Sequence, residues 1–133
     1  LADWLAGSSS RQRYESEGLL KVLFAENGTK EDLLATIRGI REDALAVREH
    51  FLRFADVYEA GDGQYPDRFD LSALAARLLC EQQAATARWA SWAEELVSSW
   101  DSPSGADATW GIETLRASGE GFVLAEDPVG PQP

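Results

Sequence analysis

Apolar residues recur at heptad spacing through the centre of the chain, and this pattern limits the folds available to it. From Leu33 to Tyr58 the intervals alternate between four and three residues without a break. Such spacing keeps one side of an α-helix facing a partner helix, as in a coiled coil. A helix over residues 29–60 would be about 48 Å long at 1.5 Å per residue, more than a small core covers from one side. The heptad positions are Leu33, Ile37, Ile40, Ala44, Val47, Phe51, Phe54 and Tyr58.

A second long helix is predicted after a break at Gly61, Gly63 and Pro66. It would begin at Asp70 as N-cap and run to about residue 100. Two long helices joined by a short loop typically pack as an antiparallel αα-hairpin. A shorter helix is predicted before them, over residues 11–26. The apolar stripe of the second long helix would be Leu71, Leu74, Leu78, Gln82, Ala85, Trp89, Trp92, Leu96 and Trp100.

The charge balance argues against direct nucleic-acid binding. The net charge is −11 over 133 residues, with only two lysines, Lys21 and Lys30. Neutralising phosphates requires a basic patch, and the same acidity disfavours an anionic membrane surface. The chain has no apolar run long enough for a membrane span, and its lone Cys80 has no internal disulfide partner. These features predict a cytoplasmic protein with no membrane partner.

The composition changes after Trp100. Residues 101–133 hold four of the five prolines and a single basic residue, Arg116. We therefore predict two parts, a helical dimerisation domain over residues 1–100 and an irregular acidic, Pro/Gly-rich arm over residues 101–133. Within the arm, a short helix is expected near residues 112–117 and an extended piece near residues 121–125.

Candidate catalytic groups are few. His50 is the only histidine, and no zinc-binding or phosphate-binding motif occurs. The sequence predicts neither an enzyme, a metal site nor a cofactor, and His50 is expected to face solvent or an interface.

The tryptophans of the second long helix allow two interpretations. Trp89 and Trp92 share a face, and they either fill gaps between helices or form a slot for a flat ligand. Gln82 lies in the same stripe, and because a buried amide must find a hydrogen-bond partner, it either fixes helix register across an interface or contacts a ligand. The candidate ligand pocket consists of Gln82, Trp89 and Trp92.

Three segments, in order, carry a family resemblance: "ESEGLLKVLFAENGTKEDLLATIRGIREDAL", "YPDRFDLSALAARLL" and "ARWASWAEELVSSW". Over residues 1–100 the chain resembles the C-terminal domain of PadR-family transcriptional regulators. It is similar to the subfamily with a long C-terminal region, which includes bacterial virulence-gene activators. The resemblance implies an intertwined homodimer, with a winged-helix DNA-binding domain preceding "LADWLA". Such dimers set the spacing of two DNA-reading domains.

The expected fold is therefore all-α, with a short helix, a long antiparallel αα-hairpin, an intertwined homodimer and an irregular C-terminal arm. The expected function is dimerisation within a transcriptional regulator, with effector sensing left open and DNA contacted only through the N-terminal domain. A free-standing acidic helical adaptor and a small-molecule-binding module with a Trp-lined pocket remain as alternatives. The predicted dimer interface comprises the eight heptad residues together with Leu74 and Leu78.

Overall fold

The computed structural model describes residues 1–9, 13, 15–104 and 107–121. All regular structure in these residues is helical, which confirms the all-α prediction for this part of the chain. The two 30-residue helices α3 and α4 form a hairpin-like pair, and α2 packs against α3. The α-helices are α1 (Ala2–Ala6), α2 (Glu17–Leu23), α3 (Lys30–Glu59), α4 (Phe69–Ser98) and α5 (Ala108–Glu120), with 3₁₀ turns at Ala25–Asn27 and Pro66–Arg68.

The start of α3 is fixed by a reciprocal capping box between Thr29 and Asp32. The Thr29 Oγ1 atom accepts a hydrogen bond of 3.1 Å from the Asp32 backbone N–H. The Asp32 carboxylate in turn accepts one of 2.9 Å from the Thr29 backbone N–H. Both bonds satisfy N–H groups that have no partner within the helix. The helix ends before Gly61, which adopts a left-handed conformation with φ of 83°.

The start of α4 differs from the prediction. Asp70 is not the N-cap, because α4 begins at Phe69 and Arg68 occupies the cap position without a side-chain bond. The 3₁₀ turn that begins at Pro66 runs directly into the helix. Because proline fixes φ near its helical value, winding begins ahead of the aspartate and leaves no separate cap for it.

The other helices also differ in extent from their predictions. Of the helix expected over residues 11–26, the described residues show α2 followed by the 3₁₀ turn, and residues 11, 12 and 14 lie outside the described part of the chain. The Ser16 Oγ atom caps α2 by accepting a bond of 3.2 Å from the Leu19 backbone N–H. The short helix expected near 112–117 is part of the longer α5. The extended piece predicted near 121–125 falls, beyond Gly121, outside the described residues.

Contacts join both ends of the α3–α4 pair. The Lys30 Nζ atom, at the start of α3, donates a bond of 2.8 Å to the Ser98 carbonyl at the end of α4. At the far end, the ring of Tyr58 stacks on that of Phe69 with centroids 4.2 Å apart. The two helices therefore lie alongside each other over their length.

The buried core occupies only one half of this pair. No residue from 45 to 89 is buried, although the whole stretch is described. The buried residues of α4 are small side chains rather than the tryptophans and leucines of the predicted stripe. Small side chains allow two helix axes to approach at 8–10 Å, whereas indoles hold them apart. The buried residues are Leu33, Leu34, Ile37 and Ala44 of α3 and Ala90, Ala93 and Val97 of α4.

Candidate functional site

Four of the five tryptophans line one groove beside the core, which we call the tryptophan groove. Its volume is about 440 Å³, within the range of pockets that hold small molecules. Core residues of α3 and α4 form part of its lining, and α5 contributes to the rim. The lining residues are Val22, Leu33, Ile37, Trp89, Trp92, Ala93, Leu96, Val97, Trp100, Pro103, Ser104, Asp107, Trp110 and Gly111.

The indoles reach the groove from two helices. Trp89 and Trp92 lie within α4, and Trp100 follows the last turn of that helix. The backbone N–H of Trp100 donates a hydrogen bond of 3.0 Å to the Val97 carbonyl. Trp110 comes from α5, whose start is capped by Asp107. The Asp107 Oδ1 atom accepts a hydrogen bond of 2.8 Å from the backbone N–H of Trp110. The cap therefore holds the Trp110 backbone at the rim of the groove.

Two of these rings meet edge to face. The ring centroids of Trp100 and Trp110 are 5.9 Å apart, with an interplanar angle of 90°. This is a favoured aromatic geometry because the positive ring edge faces the negative ring surface. Trp89 and Trp100 also pack against the core, whereas Trp92 is 48% exposed. The groove thus combines anchored indoles with one accessible indole.

A single charged side chain lies among the described residues of the groove lining. It is Asp107, and no basic residue accompanies it there. The bond to Trp110 uses Oδ1 and leaves Oδ2 outside that interaction. The groove therefore presents aromatic faces, an apolar floor and one carboxylate.

The structure regroups the predicted pocket residues. Trp89 and Trp92 line the groove as predicted, but Gln82 does not. Gln82 lies about two turns before Trp89 on α4 and is half-buried. Its backbone carbonyl accepts a hydrogen bond of 2.9 Å from the Thr86 hydroxyl. Sequence reasoning left Trp100 and Trp110 out of the pocket. Their residue type was the available signal, but their meeting depends on where α5 lies.

The predicted interface residues separate into three groups. Leu33, Ile37 and Ala44 are buried within the single chain, so in this structure they are core residues rather than a free surface. Leu33 and Ile37 share one core cluster with Ala90, Ala93 and Val97 of α4. The half-buried group is Ile40, Val47, Phe51 and Tyr58, and the exposed group is Phe54, Leu74 and Leu78.

The unburied half of the α3–α4 pair carries large apolar side chains, which we call the distal apolar surface. The exposed fraction of these eight side chains ranges from 43% for Phe54 to 72% for Leu74. Leu71, Leu74 and Leu78 are spaced three and four residues apart and share a face of α4. The surface comprises Leu45, Leu52, Phe54 and Val57 of α3 and Leu71, Leu74, Leu78 and Leu79 of α4.

No protein-family model matches the chain, and comparison with curated proteins and with solved structures finds no similar protein. Among the described residues, none of the helices has the length and apolar character needed to cross a bilayer.

Proposed function

We propose that this chain is the dimerisation domain of a transcriptional regulator. In this proposal α3 and α4 form an antiparallel hairpin, and the distal apolar surfaces of two copies pack around a two-fold axis in the cytoplasm. The observation that carries the proposal is the distribution of burial. From residue 45 to residue 89 nothing is buried, yet that half holds eight large apolar residues with 43–72% of their surface exposed.

Burying these side chains gives a sufficient driving force for association. Complete burial of one leucine or phenylalanine contributes about 1.5–3 kcal/mol, and these residues are about half exposed. Monomeric proteins rarely leave large contiguous apolar patches in water, and such patches usually mark interaction sites. Eight such residues on two adjoining helices therefore support a protein–protein interface.

A second copy of the chain is the partner that best fits this surface. An interface around a two-fold axis needs one self-complementary patch, which every copy already carries. Leu71, Leu74 and Leu78 of α4 are spaced for contact with another helix over about two turns. The assignment moves the predicted interface away from Leu33, Ile37 and Ala44, which are core residues here, and keeps Phe54, Leu74 and Leu78.

The role in transcription is supported by the resemblance of three ordered segments to PadR-family C-terminal domains. DNA contact would come from a winged-helix domain preceding "LADWLA", since the chain carries a net charge of −11 and only two lysines. The dimer would then hold two such domains at the spacing of adjacent half-sites, about 34–36 Å.

Operator binding by a fusion protein tests this role. The chain is joined to a helix-turn-helix domain that occupies its operator only as a dimer, and occupancy is measured by gel shift. We expect the wild-type fusion to bind and the Leu74→Glu/Leu78→Glu fusion to bind at least about tenfold more weakly, since burying two carboxylates is costly. Leu115→Glu is the matched control, because Leu115 is 76% exposed but lies on α5. A wild-type fusion that leaves the operator free would contradict the proposal.

A free-standing acidic helical adaptor is the competing function. It shares the apolar surface but requires no DNA-binding domain. The sequence encoded immediately upstream of Leu1 in the gene separates the two. A winged-helix sequence there supports the regulator, and its absence supports the adaptor.

A further inference from the structure

We propose that the tryptophan groove binds a planar aromatic cation. The inference is argued from described residues of a single copy of the chain and does not rest on self-association. The groove brings together four indoles, a carboxylate and a preformed apolar floor, each of which selects one property of the ligand.

The indoles select a flat aromatic ring. Three of them approach from α4 and the segment after it, and Trp110 approaches from α5. The edge-to-face contact of Trp100 with Trp110 positions both rings without a ligand. Trp92 keeps nearly half of its surface exposed, so its ring remains available to a ligand. Tryptophan is also the side chain whose ring face attracts cations most strongly.

The charge of the lining selects a positive ligand over a negative one. Asp107 is the only charged residue among the described lining residues, and no arginine or lysine accompanies it. An anion would meet both a carboxylate and the electron-rich ring faces. The net charge of −11 further raises the local concentration of cations.

The size of the groove suits a compound of two or three fused rings. Its volume of about 440 Å³ is at the lower end of the range for small-molecule sites. The floor includes Ile37, which is 1% exposed, and Val97, which is 4% exposed. A core so closely packed does not need to rearrange to receive a ring, which keeps the cost of ordering the site low.

Three tricyclic probes of similar size test the charge preference. Titration calorimetry at pH 8 compares N-methylacridinium, which is cationic, with neutral acridine and anionic anthracene-2-sulfonate. We expect one N-methylacridinium per chain, bound about tenfold more tightly than acridine, as a partly desolvated cation–π contact implies. Anthracene-2-sulfonate should bind most weakly of the three.

Two pairs of variants locate the binding. Trp92→Ala removes the accessible indole, and its control Trp4→Ala removes the tryptophan outside the groove, on α1. Asp107→Asn removes the charge but retains an N-cap, because asparagine caps helices as well as aspartate does. Its control is Asp101→Asn, at an exposed position that does not line the groove.

Trp92→Ala and Asp107→Asn should each weaken N-methylacridinium binding about tenfold, the effect of losing one charged or cation–π contact. The two controls should bind as the wild type does, and circular dichroism checks that every variant is helical. Equal losses in Asp107→Asn and Asp101→Asn would show attraction to the acidic surface as a whole and overturn the proposal. Undetectable N-methylacridinium binding to the wild type, or tighter binding of the anion, would also overturn it.

Discussion

Glu94 of α4 accepts a hydrogen bond of 2.6 Å from the Nε atom of Arg38 on α3. The other carboxylate oxygen accepts a second bond of 2.6 Å from the Nη1 atom of Arg41. One acidic side chain thus connects two turns of α3 to α4 beside the buried core. The hydrogen bond from Arg38 is the main cause that lowers the pKa of Glu94, although desolvation opposes it.

The lowered pKa of Glu94 predicts that its contribution to stability depends on pH. A carboxyl whose folded pKa lies below its unfolded value stabilises the fold fully above the unfolded pKa. That contribution is lost as the pH falls through the folded pKa. Urea unfolding from pH 7 to pH 3 should show wild type more stable than Glu94→Gln at neutral pH, with the difference shrinking below the ordinary glutamate pKa of 4.5. The exposed neighbour Glu95→Gln is the control, and a difference that stays constant with pH would contradict the ion-pair account.

Ile37 is the large side chain most completely buried in the described core, at 1% exposure. Ile37→Ala removes three carbons from a packed site and should lower the free energy of unfolding by about 2–5 kcal/mol. Leu115→Ala, at a largely exposed position, should change it by less than about 0.5 kcal/mol. Urea denaturation followed by circular dichroism measures both. A loss of less than about 1 kcal/mol for Ile37→Ala would mean that the core lies elsewhere.

The Thr29 cap predicts a smaller, local effect. Thr29→Ala removes the acceptor for the Asp32 N–H and should cost about 1 kcal/mol of stability. Thr109→Ala, at an exposed position in the first turn of α5, is the matched control and should be nearly neutral. Thermal unfolding monitored at 222 nm compares them. Equal effects of the two substitutions would indicate that the capping box contributes nothing specific.

The sequence predicted α3 closely and α4 less well, for a physical reason. The helix expected over residues 29–60 is α3, and three of its eight heptad residues, Leu33, Ile37 and Ala44, are buried. In α4 the spacing predicts a stripe rich in leucines and tryptophans, but the buried residues are Ala90, Ala93 and Val97. Spacing identifies an apolar stripe, whereas helix separation decides which side chains fit between two backbones. That separation is a tertiary property.

The tryptophan groove was predictable only in part. Trp89 and Trp92 were identifiable because they lie on the same helix face. Trp110 belongs to a different helix, α5, so its contact with Trp100 follows from how α5 docks rather than from local spacing. Gln82 was grouped with the tryptophans by the same periodicity, which carries no information about depth in a groove.

Salt should strengthen self-association. Each chain has a net charge of −11, so two copies repel each other while their apolar surfaces attract. Raising ionic strength shortens the screening length from about 30 Å at 0.01 M to about 10 Å at 0.1 M and weakens this repulsion. The dissociation constant measured by fluorescence anisotropy of a labelled chain should therefore fall as NaCl is added. A rise with salt would instead point to ion pairs as the main contacts.

Sedimentation equilibrium shows whether a second copy of the chain covers the distal apolar surface. At micromolar concentration the wild-type chain should have twice the chain mass of 14.6 kDa. The Leu74→Glu/Leu78→Glu variant should have the mass of one chain under the same conditions. A wild-type chain that stays at 14.6 kDa up to about 100 μM, where even a weak dimer would form, would contradict coverage of this surface by a second copy.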